Sequence, residues 1–139
     1  MDTRVRYTFR KRERLCSKKL IDDVFDLGRV FHTGMFRIVW LPAPANLPSP
    51  AQVALIVPKK YIRSAVRRNL IRRRMREAYR KNKQILYDLL NDTGMHLAFA
   101  IIFKNQEPAD YRKMEESVIE ALRSLMRQVK QKNPNLVKE

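Results

Sequence analysis

The stretch "ALIVPKKYIRSAVRRNLIRRRMREAYR", residues 54–80, passes from an apolar run to a basic, helix-like repeat within a few positions. Its first residues are apolar and β-branched, as is typical of a strand buried within a sheet. Beyond the proline, apolar side chains recur every three or four positions, and Ser64 is a good amino-terminal cap for a helix. The sequence therefore predicts a strand followed by one long helix that runs from Ser64 to about Asn91.

The predicted helix carries two different surfaces. At about 100° per residue, one side is apolar and should pack on the sheet: Ile71, Met75, Ala78, Tyr79, Leu86 and Leu89. A second side forms a cationic ridge: Asn69, Arg72, Arg73, Arg76, Arg80 and Lys83. Arginines four residues apart with no glutamate between them repel each other by roughly a few tenths of a kcal/mol. A solvated surface normally mixes the two signs, so the ridge indicates a polyanionic ligand, and its arginines favour phosphate.

The charge of the whole chain is concentrated in two segments. The 139 residues carry a net charge of +16. Residues 59–83 hold 12 Lys or Arg against one acid, and residues 1–19 hold eight against two, whereas the rest of the chain is close to neutral. Such a protein binds polyanions through counterion release, which makes nucleic acid the leading partner.

No catalytic or metal site is visible in the sequence. The two histidines are isolated, and three aspartates of the first helix (Asp22, Asp23 and Asp26) are expected to form its solvated side rather than a Mg²⁺ site. The single Cys16 offers no disulfide and no zinc spacing, which fits a reducing cytoplasm. Because no long apolar run occurs, the sequence predicts neither secretion nor a membrane partner.

Shorter elements flank the long helix. Ser17 should cap a first helix that Gly28 stops, and Asp110 should cap a last helix. Three strands are predicted, at residues 35–41, 52–58 and 96–103. A proline-rich surface loop joins the first two of them, which we expect to be antiparallel. The order α-β-β-α-β-α predicts an α+β fold, a single-domain α/β sandwich with helices on one side of the sheet.

The domain boundaries follow from composition. Residues 17–129 should form one domain. A basic, flexible arm is expected at residues 1–16 and a frayed tail at residues 130–139.

Two segments together carry a likeness to a known family. The segment "RYTFRKRERLCSKKLIDDVF", residues 6–25, and the opening stretch resemble the protein subunit of bacterial ribonuclease P. The resemblance implies a split βαβ fold with a left-handed crossover around the basic helix, although about 98% of such connections are right-handed. It also implies an enzyme in which a catalytic RNA with bound Mg²⁺ cleaves precursor tRNA. The protein of such an enzyme holds the catalytic RNA and contacts the 5′ leader.

The basic motif of this family maps onto the long helix and the loop before it. By resemblance, the residues that should face the catalytic RNA are Lys59, Lys60, Arg63, Arg67, Arg68, Asn69, Arg72, Arg73 and Arg76, and Arg80 lies on the same ridge. Leu70 stands where the family usually has an arginine. We expect Arg74 or Arg67 to replace the phosphate contact that is missing there.

In this family a cleft between the first helix and the sheet receives the single-stranded leader. The matching positions are Ile21, Phe25 and Trp40, with Ile21 in place of a common aromatic residue. Stacking a base on an aromatic ring contributes about 1–3 kcal/mol and tolerates any base, which suits an enzyme that meets many leaders. Phe25 can equally belong to the core. Trp40 is expected on the sheet surface that borders the cleft rather than deep inside the protein.

Two other functions compete with this interpretation. A structural ribosomal protein or general RNA-binding protein would explain the charge without any role in cleavage. A DNA-binding protein would place the basic helix in a major groove, but the chain lacks the short helix-turn-helix context for that. A DNA partner is therefore not expected.

Overall fold

The computed structural model describes residues 8–132 of the chain. A 3₁₀ turn, Lys11–Glu13, is followed by α1 (Lys18–Leu27), β1 (Arg29–Thr33), β2 (Phe36–Pro42), β3 (Ala51–Ile56), α2 (Ala65–Asn82), α3 (Gln84–Thr93), β4 (Leu97–Phe103) and α4 (Tyr111–Lys132). Within these residues, four strands form one mixed sheet in the order β1-β2-β4-β3. Strand β2 is antiparallel to β1 and β4, and β3 is parallel to β4. The α+β class and the single-domain architecture are confirmed.

The helices begin where their capping residues predicted. The side-chain oxygens of Ser17, Ser64 and Asp110 each accept a hydrogen bond from the third N–H of the following helix, at 3.3, 3.2 and 2.9 Å. These bonds satisfy main-chain donors that have no partner inside the helix. Local capping chemistry therefore fixes the starts of α1, α2 and α4. The last helix continues to Lys132, three residues beyond the predicted domain boundary, and residues 133–139 lie outside the described part of the chain.

Two elements differ from the prediction. Strand β1 was missed, and it forms a hairpin with β2 through a turn at Gly34, whose φ of 54° suits glycine. The long helix is also wrong beyond Asn82, because the chain starts a separate helix at Gln84. Lys83, at the junction, turns its side chain into the protein instead of extending the cationic ridge.

Helices cover both faces of the sheet, not one. Side chains alternate between the faces along each strand. One face packs against α2, α3 and α4 through Phe36, Ile38, Trp40, Leu97, Phe99, Ile101 and Phe103. We call it the three-helix face. The opposite, one-helix face packs against Val24 of α1 through Val39, Ala98, Ala100 and Ile102. The prediction of a sheet covered on one side was wrong because the first helix is separated from the other three.

The crossover from β3 to β4 is left-handed. In a strand of L-residues that runs upward, a residue whose side chain points at the viewer has its N–H and C=O on the right. Leu97 of β4 points toward the three-helix face, and its N–H donates to the carbonyl of Pro50, next to β3, at 3.0 Å. Seen from that face, β3 therefore lies to the right of β4. The chain returns to the left in front of the sheet through α2 and α3, against the usual right-handed rule.

Candidate nucleic-acid interface

Helix α2 and the loop before it display most of the predicted RNA-binding side chains to solvent. The apolar side of α2, with Ile71 and Met75, is fully buried against the sheet. The exposed residues of the predicted set are Lys59, Lys60, Arg63, Arg67, Asn69, Arg73 and Arg76. Arg72 is half-buried and donates to Oδ1 of Asn69 at 2.8 Å, which orients both side chains. These cations of the loop and α2 are thus accessible to a ligand.

Two predicted cations are engaged within the protein. Arg68 donates to the carbonyls of Ile62 and Arg63, at 3.0 and 2.8 Å, and so fixes the loop that enters α2. Arg80 forms an ion pair with Glu77 at 2.5 Å. The hydrogen bond from Arg80 holds the pKa of the Glu77 carboxyl below its ordinary value. Both arginines shape the interface from within the protein.

One of the two predicted substitutes for an arginine at position 70 makes a hydrogen bond within the protein. Arg74 donates to the carbonyl of Ala109, before α4, at 2.6 Å. Its guanidinium therefore lies on the α4 side of α2, and the role of Arg74 as a substitute stays a prediction. Arg67 is exposed, and its role stays a prediction.

A buried ion pair ties the amino-terminal segment to the junction of α2 and α3. Glu13 and Lys83 are both buried and pair directly, and Lys83 also donates to the carbonyl of Thr8. Glu13 accepts further bonds from the Tyr87 hydroxyl at 2.7 Å and the Arg10 N–H at 2.8 Å. Burial raises the pKa of Glu13, but the hydrogen bonds from Lys83, Arg10 and Tyr87 outweigh it, so the pKa lies below its ordinary value.

This pair changes the account of the predicted arm. Residues 1–7 lie outside the described part of the chain, whereas residues 8–16 lie against the domain. Sequence reasoning assigned Lys83 to the ridge and Glu13 to a flexible arm. No local sequence pattern predicts this ion pair, because its two residues lie 70 positions apart in the chain. The only signal in the sequence was that the two side chains carry opposite charges.

The predicted leader cleft would lie on the one-helix face, beside α1. Ile21 is half-buried against the small cluster around Val24. Phe25 is 42% exposed, and Leu27 and Val30 are also exposed. These side chains form a surface that single-stranded RNA bases can contact.

Trp40 does not belong to this cleft. Val39 faces α1, and the alternation of the strand turns Trp40 to the opposite, three-helix face. There its side chain is 0% exposed, and its indole N–H donates to Oε1 of Gln128 in α4 at 3.0 Å. The prediction that Trp40 borders the leader cleft was therefore wrong.

The acidic side chains do not suit a metal site held by the protein. Residues 8–132 contain no group of three or more His, Cys, Asp or Glu side chains that could hold an ion. Asp22 and Asp23 instead lie 3.6 and 3.8 Å from the lysines one turn before them, Lys18 and Lys19. No helix in the same range is long and apolar enough to cross a membrane.

Comparison with known proteins decides the family. The family model described as Ribonuclease P matches residues 9–130. This chain belongs to the ribonuclease P protein family. The ribonuclease P protein component of Porphyromonas gingivalis is 32% identical over 112 residues, covering 81% of this chain and 82% of that protein. That of Petrotoga mobilis is 33% identical over 121 residues, covering 85% and 95%.

Solved ribonuclease P proteins share the fold. The Staphylococcus aureus structure has a TM-score of 0.65 at 16% identity, covering 81% of this chain and 94% of that one. The Thermotoga maritima structure has a TM-score of 0.63 at 20% identity, covering 81% and 96%. As a ribonuclease P protein, the chain is a subunit of an endoribonuclease and takes part in tRNA 5′ maturation with the ribonuclease P RNA.

Proposed function

We propose that the exposed cations of α2 and its preceding loop bind the catalytic RNA, while the cleft beside α1 binds the 5′ leader of precursor tRNA. The observation that carries the first assignment is the accessibility of the basic side chains Lys59, Lys60, Arg63, Arg67, Arg72, Arg73 and Arg76, together with the neutral Asn69. Its arginines can make bidentate contacts with phosphates. Arg68 and Arg80 hold the loop and the helix side chains in place. The site of action is the bacterial cytoplasm, where both RNA partners are made.

The cleft assignment rests on Ile21 and Phe25. Phe25 lies on α1 with 42% of its side chain exposed, so a ring face can receive a base. Stacking does not depend on base identity, which suits leaders of different sequence. Leu27, at the end of α1, and Val30 of β1 are further exposed apolar side chains. The cleft and the basic surface are separate, so one chain can hold both RNAs.

Cleavage itself is assigned to the catalytic RNA. Mg²⁺ bound by that RNA would activate water and stabilise charge on the phosphate. The described residues of this chain do not fit a protein-held Mg²⁺ site. The protein therefore acts by binding and orienting the RNA partners, and by neutralising phosphates that would otherwise repel each other.

Reconstitution tests this proposal. The protein is added to bacterial ribonuclease P RNA at a Mg²⁺ concentration at which the RNA alone leaves precursor tRNA uncut. We expect leader removal to be restored, measured by release of the labelled 5′ fragment. An absence of rescue would contradict the proposal. Rescue by a variant lacking Arg73 and Arg76 should need more protein than rescue by a matched variant lacking Arg112 and Arg123, two exposed arginines of α4.

Competition separates the proposal from general RNA binding. A structural RNA-binding protein would show comparable affinity for any folded RNA and no effect on cleavage. We expect ribosomal RNA fragments and duplex DNA of equal length to displace the catalytic RNA poorly. Equal displacement by duplex DNA would favour a DNA-binding function instead.

A further inference from the structure

A groove of about 470 Å³ lies between the amino-terminal segment and α2, along the outer edge of β3. We call it the arm groove. It is lined by Phe9, Arg14, Leu15, Cys16, Val53, Ala54, Leu55, Arg72 and Arg76. Arg14 comes from the amino-terminal segment, whereas Arg72 and Arg76 lie one turn apart on α2. Three arginines from two elements therefore line one groove.

The groove holds positive charge without a compensating acid. Its lining contains no Asp or Glu among the described residues. Within residues 8–132, neither Arg14 nor Arg76 forms a side-chain hydrogen bond or an ion pair, and Arg72 bonds only to the neutral Asn69. Like charges gathered in this way repel each other unless an anion lies between them. The groove is thus complementary to a phosphate backbone.

The edge of β3 adds main-chain groups to the same groove. Leu15 donates its N–H to the carbonyl of Val53 at 3.0 Å, so the amino-terminal segment pairs with this edge at Val53. Groups of residues two apart in a strand point to the same edge. Leu55 therefore directs its N–H and C=O into the groove, beyond the point where the segment pairs. A bound RNA strand would find main-chain donors and acceptors beside the guanidinium groups.

The neighbouring buried pair fixes Arg14 in this position. Glu13, the residue before Arg14, is held by Lys83 and Tyr87, and Leu15, the residue after it, is buried against β3. The main chain of an arginine between two anchored residues is already ordered by folding. Binding of a ligand to Arg14 therefore loses little further main-chain entropy.

We propose that the arm groove continues the RNA-binding surface of α2, so that Arg14 binds phosphates of the catalytic RNA beside Arg72 and Arg76. This rests on the proposed function above. The catalytic RNA is the occupant, rather than the leader, because Arg72 and Arg76 belong to the same basic ridge that faces it. The groove therefore extends the RNA surface from α2 to the amino-terminal segment.

Cys16 provides a direct test, because it is the single cysteine of the chain, is exposed and lines the groove. The rate of its alkylation by N-ethylmaleimide is measured with and without saturating catalytic RNA. We expect the RNA to slow the reaction by about tenfold or more, since alkylation needs an accessible thiol. The control variant combines Cys16→Ser with Gln131→Cys, which moves the cysteine to an exposed position of α4. There the RNA should slow alkylation by less than about twofold. Equal slowing at both positions would overturn the proposal.

Two further RNAs, tested in the same alkylation experiment, identify which RNA occupies the arm groove. Precursor tRNA and mature tRNA are each added alone at the same concentration. Neither should slow alkylation of Cys16. If precursor tRNA protects Cys16 and the catalytic RNA does not, the groove holds the leader and the proposal is wrong.

A charge-matched pair of variants tests the arginine. We expect Arg14→Gln to weaken binding of the catalytic RNA by roughly five- to twentyfold and to reduce the slope of log K against log salt by about 0.9 or less. Arg12→Gln removes the same charge from the same segment, but Arg12 lies outside this groove, so its effect should stay below about twofold. Equal effects would overturn the proposal. Restored cleavage with an unprotected Cys16 would refute the groove alone, whereas no RNA binding would refute the proposed function as well.

Discussion

The two faces of the sheet are built from side chains of different size. The three-helix face buries large rings, including Trp40 and Phe99, beneath α2, α3 and α4. The one-helix face offers Ala98 and Ala100 to α1 and leaves Phe25 of that helix partly in solvent. Large buried side chains contribute most to stability. The three-helix face therefore supplies most of the buried core, whereas the one-helix face leaves apolar side chains accessible for binding.

Geometry explains why one face stays open. Four strands spaced by about 4.8 Å span roughly 14 Å between the outer two, whereas a helix with its side chains is only about 10–12 Å wide. Helix α1 packs on the two central strands, β2 and β4. Val30 of β1, at the margin, is left exposed. A single helix therefore leaves a strip of the sheet beside α1 uncovered.

The change with the largest expected effect is Trp40→Ala on the three-helix face. Removing a fully buried ring and its hydrogen bond to Gln128 should lower the free energy of unfolding by about 3–5 kcal/mol. Urea unfolding followed by circular dichroism measures it. The fraction of the variant that folds should still bind precursor tRNA and mature tRNA with different affinities. A selective loss of leader binding at unchanged stability would place Trp40 back in the cleft.

The next largest effect is expected for Gly28→Ala, which challenges the close approach of α1 to the sheet. A Cβ at position 28 would lie 2.3 Å from the Val24 carbonyl oxygen and 2.9 Å from Cγ1 of Val39. We expect a loss of about 2–3 kcal/mol in the free energy of unfolding, as in other overpacked sites. Gly94→Ala is the control, because Gly94 has a φ of 73° and open space around it. It should lose only about 1–2 kcal/mol through backbone strain. A smaller loss at Gly28 than at Gly94 would contradict this packing.

Glu13→Gln tests the buried ion pair between Glu13 and Lys83, which lies beside the β3 edge of the sheet. The variant leaves Lys83 buried without its carboxylate and should lower the free energy of unfolding by about 2 kcal/mol at pH 7. Because folding lowers the pKa of Glu13, its contribution is present above its ordinary value of 4.5 and is lost as pH falls through the folded pKa. The difference between wild type and variant should therefore shrink below about pH 4.5. Unfolding curves at several pH values measure it, with exposed Glu116→Gln as the control; a pH-independent difference would contradict the linkage.

Local signals in the sequence predicted the starts of the helices. The features that could not be predicted depend on contacts between residues far apart in the chain. Ser17, Ser64 and Asp110 act within three residues of themselves, so their capping roles can be predicted from the sequence alone. Lys83 follows the helical period of the ridge, but its buried partner lies far away in the chain. Trp40 was misplaced because a strand pattern shows alternation without showing which face meets which helix. Only the register with β4 and the position of α1 settle that choice.

The smallest expected effect, and the one that decides whether the open face binds, belongs to Phe25→Ala. Because Phe25 is 42% exposed, its loss should lower the free energy of unfolding by only about 1–1.5 kcal/mol. If its ring stacks on a leader base, precursor tRNA should bind the reconstituted enzyme more weakly by about 1–2 kcal/mol, whereas mature tRNA binding stays unchanged. Phe25→Tyr, which keeps the ring, should restore leader affinity, and dissociation constants for both tRNAs measure the difference. Equal weakening for precursor and mature tRNA would mean that the exposed ring supports the enzyme without touching the leader.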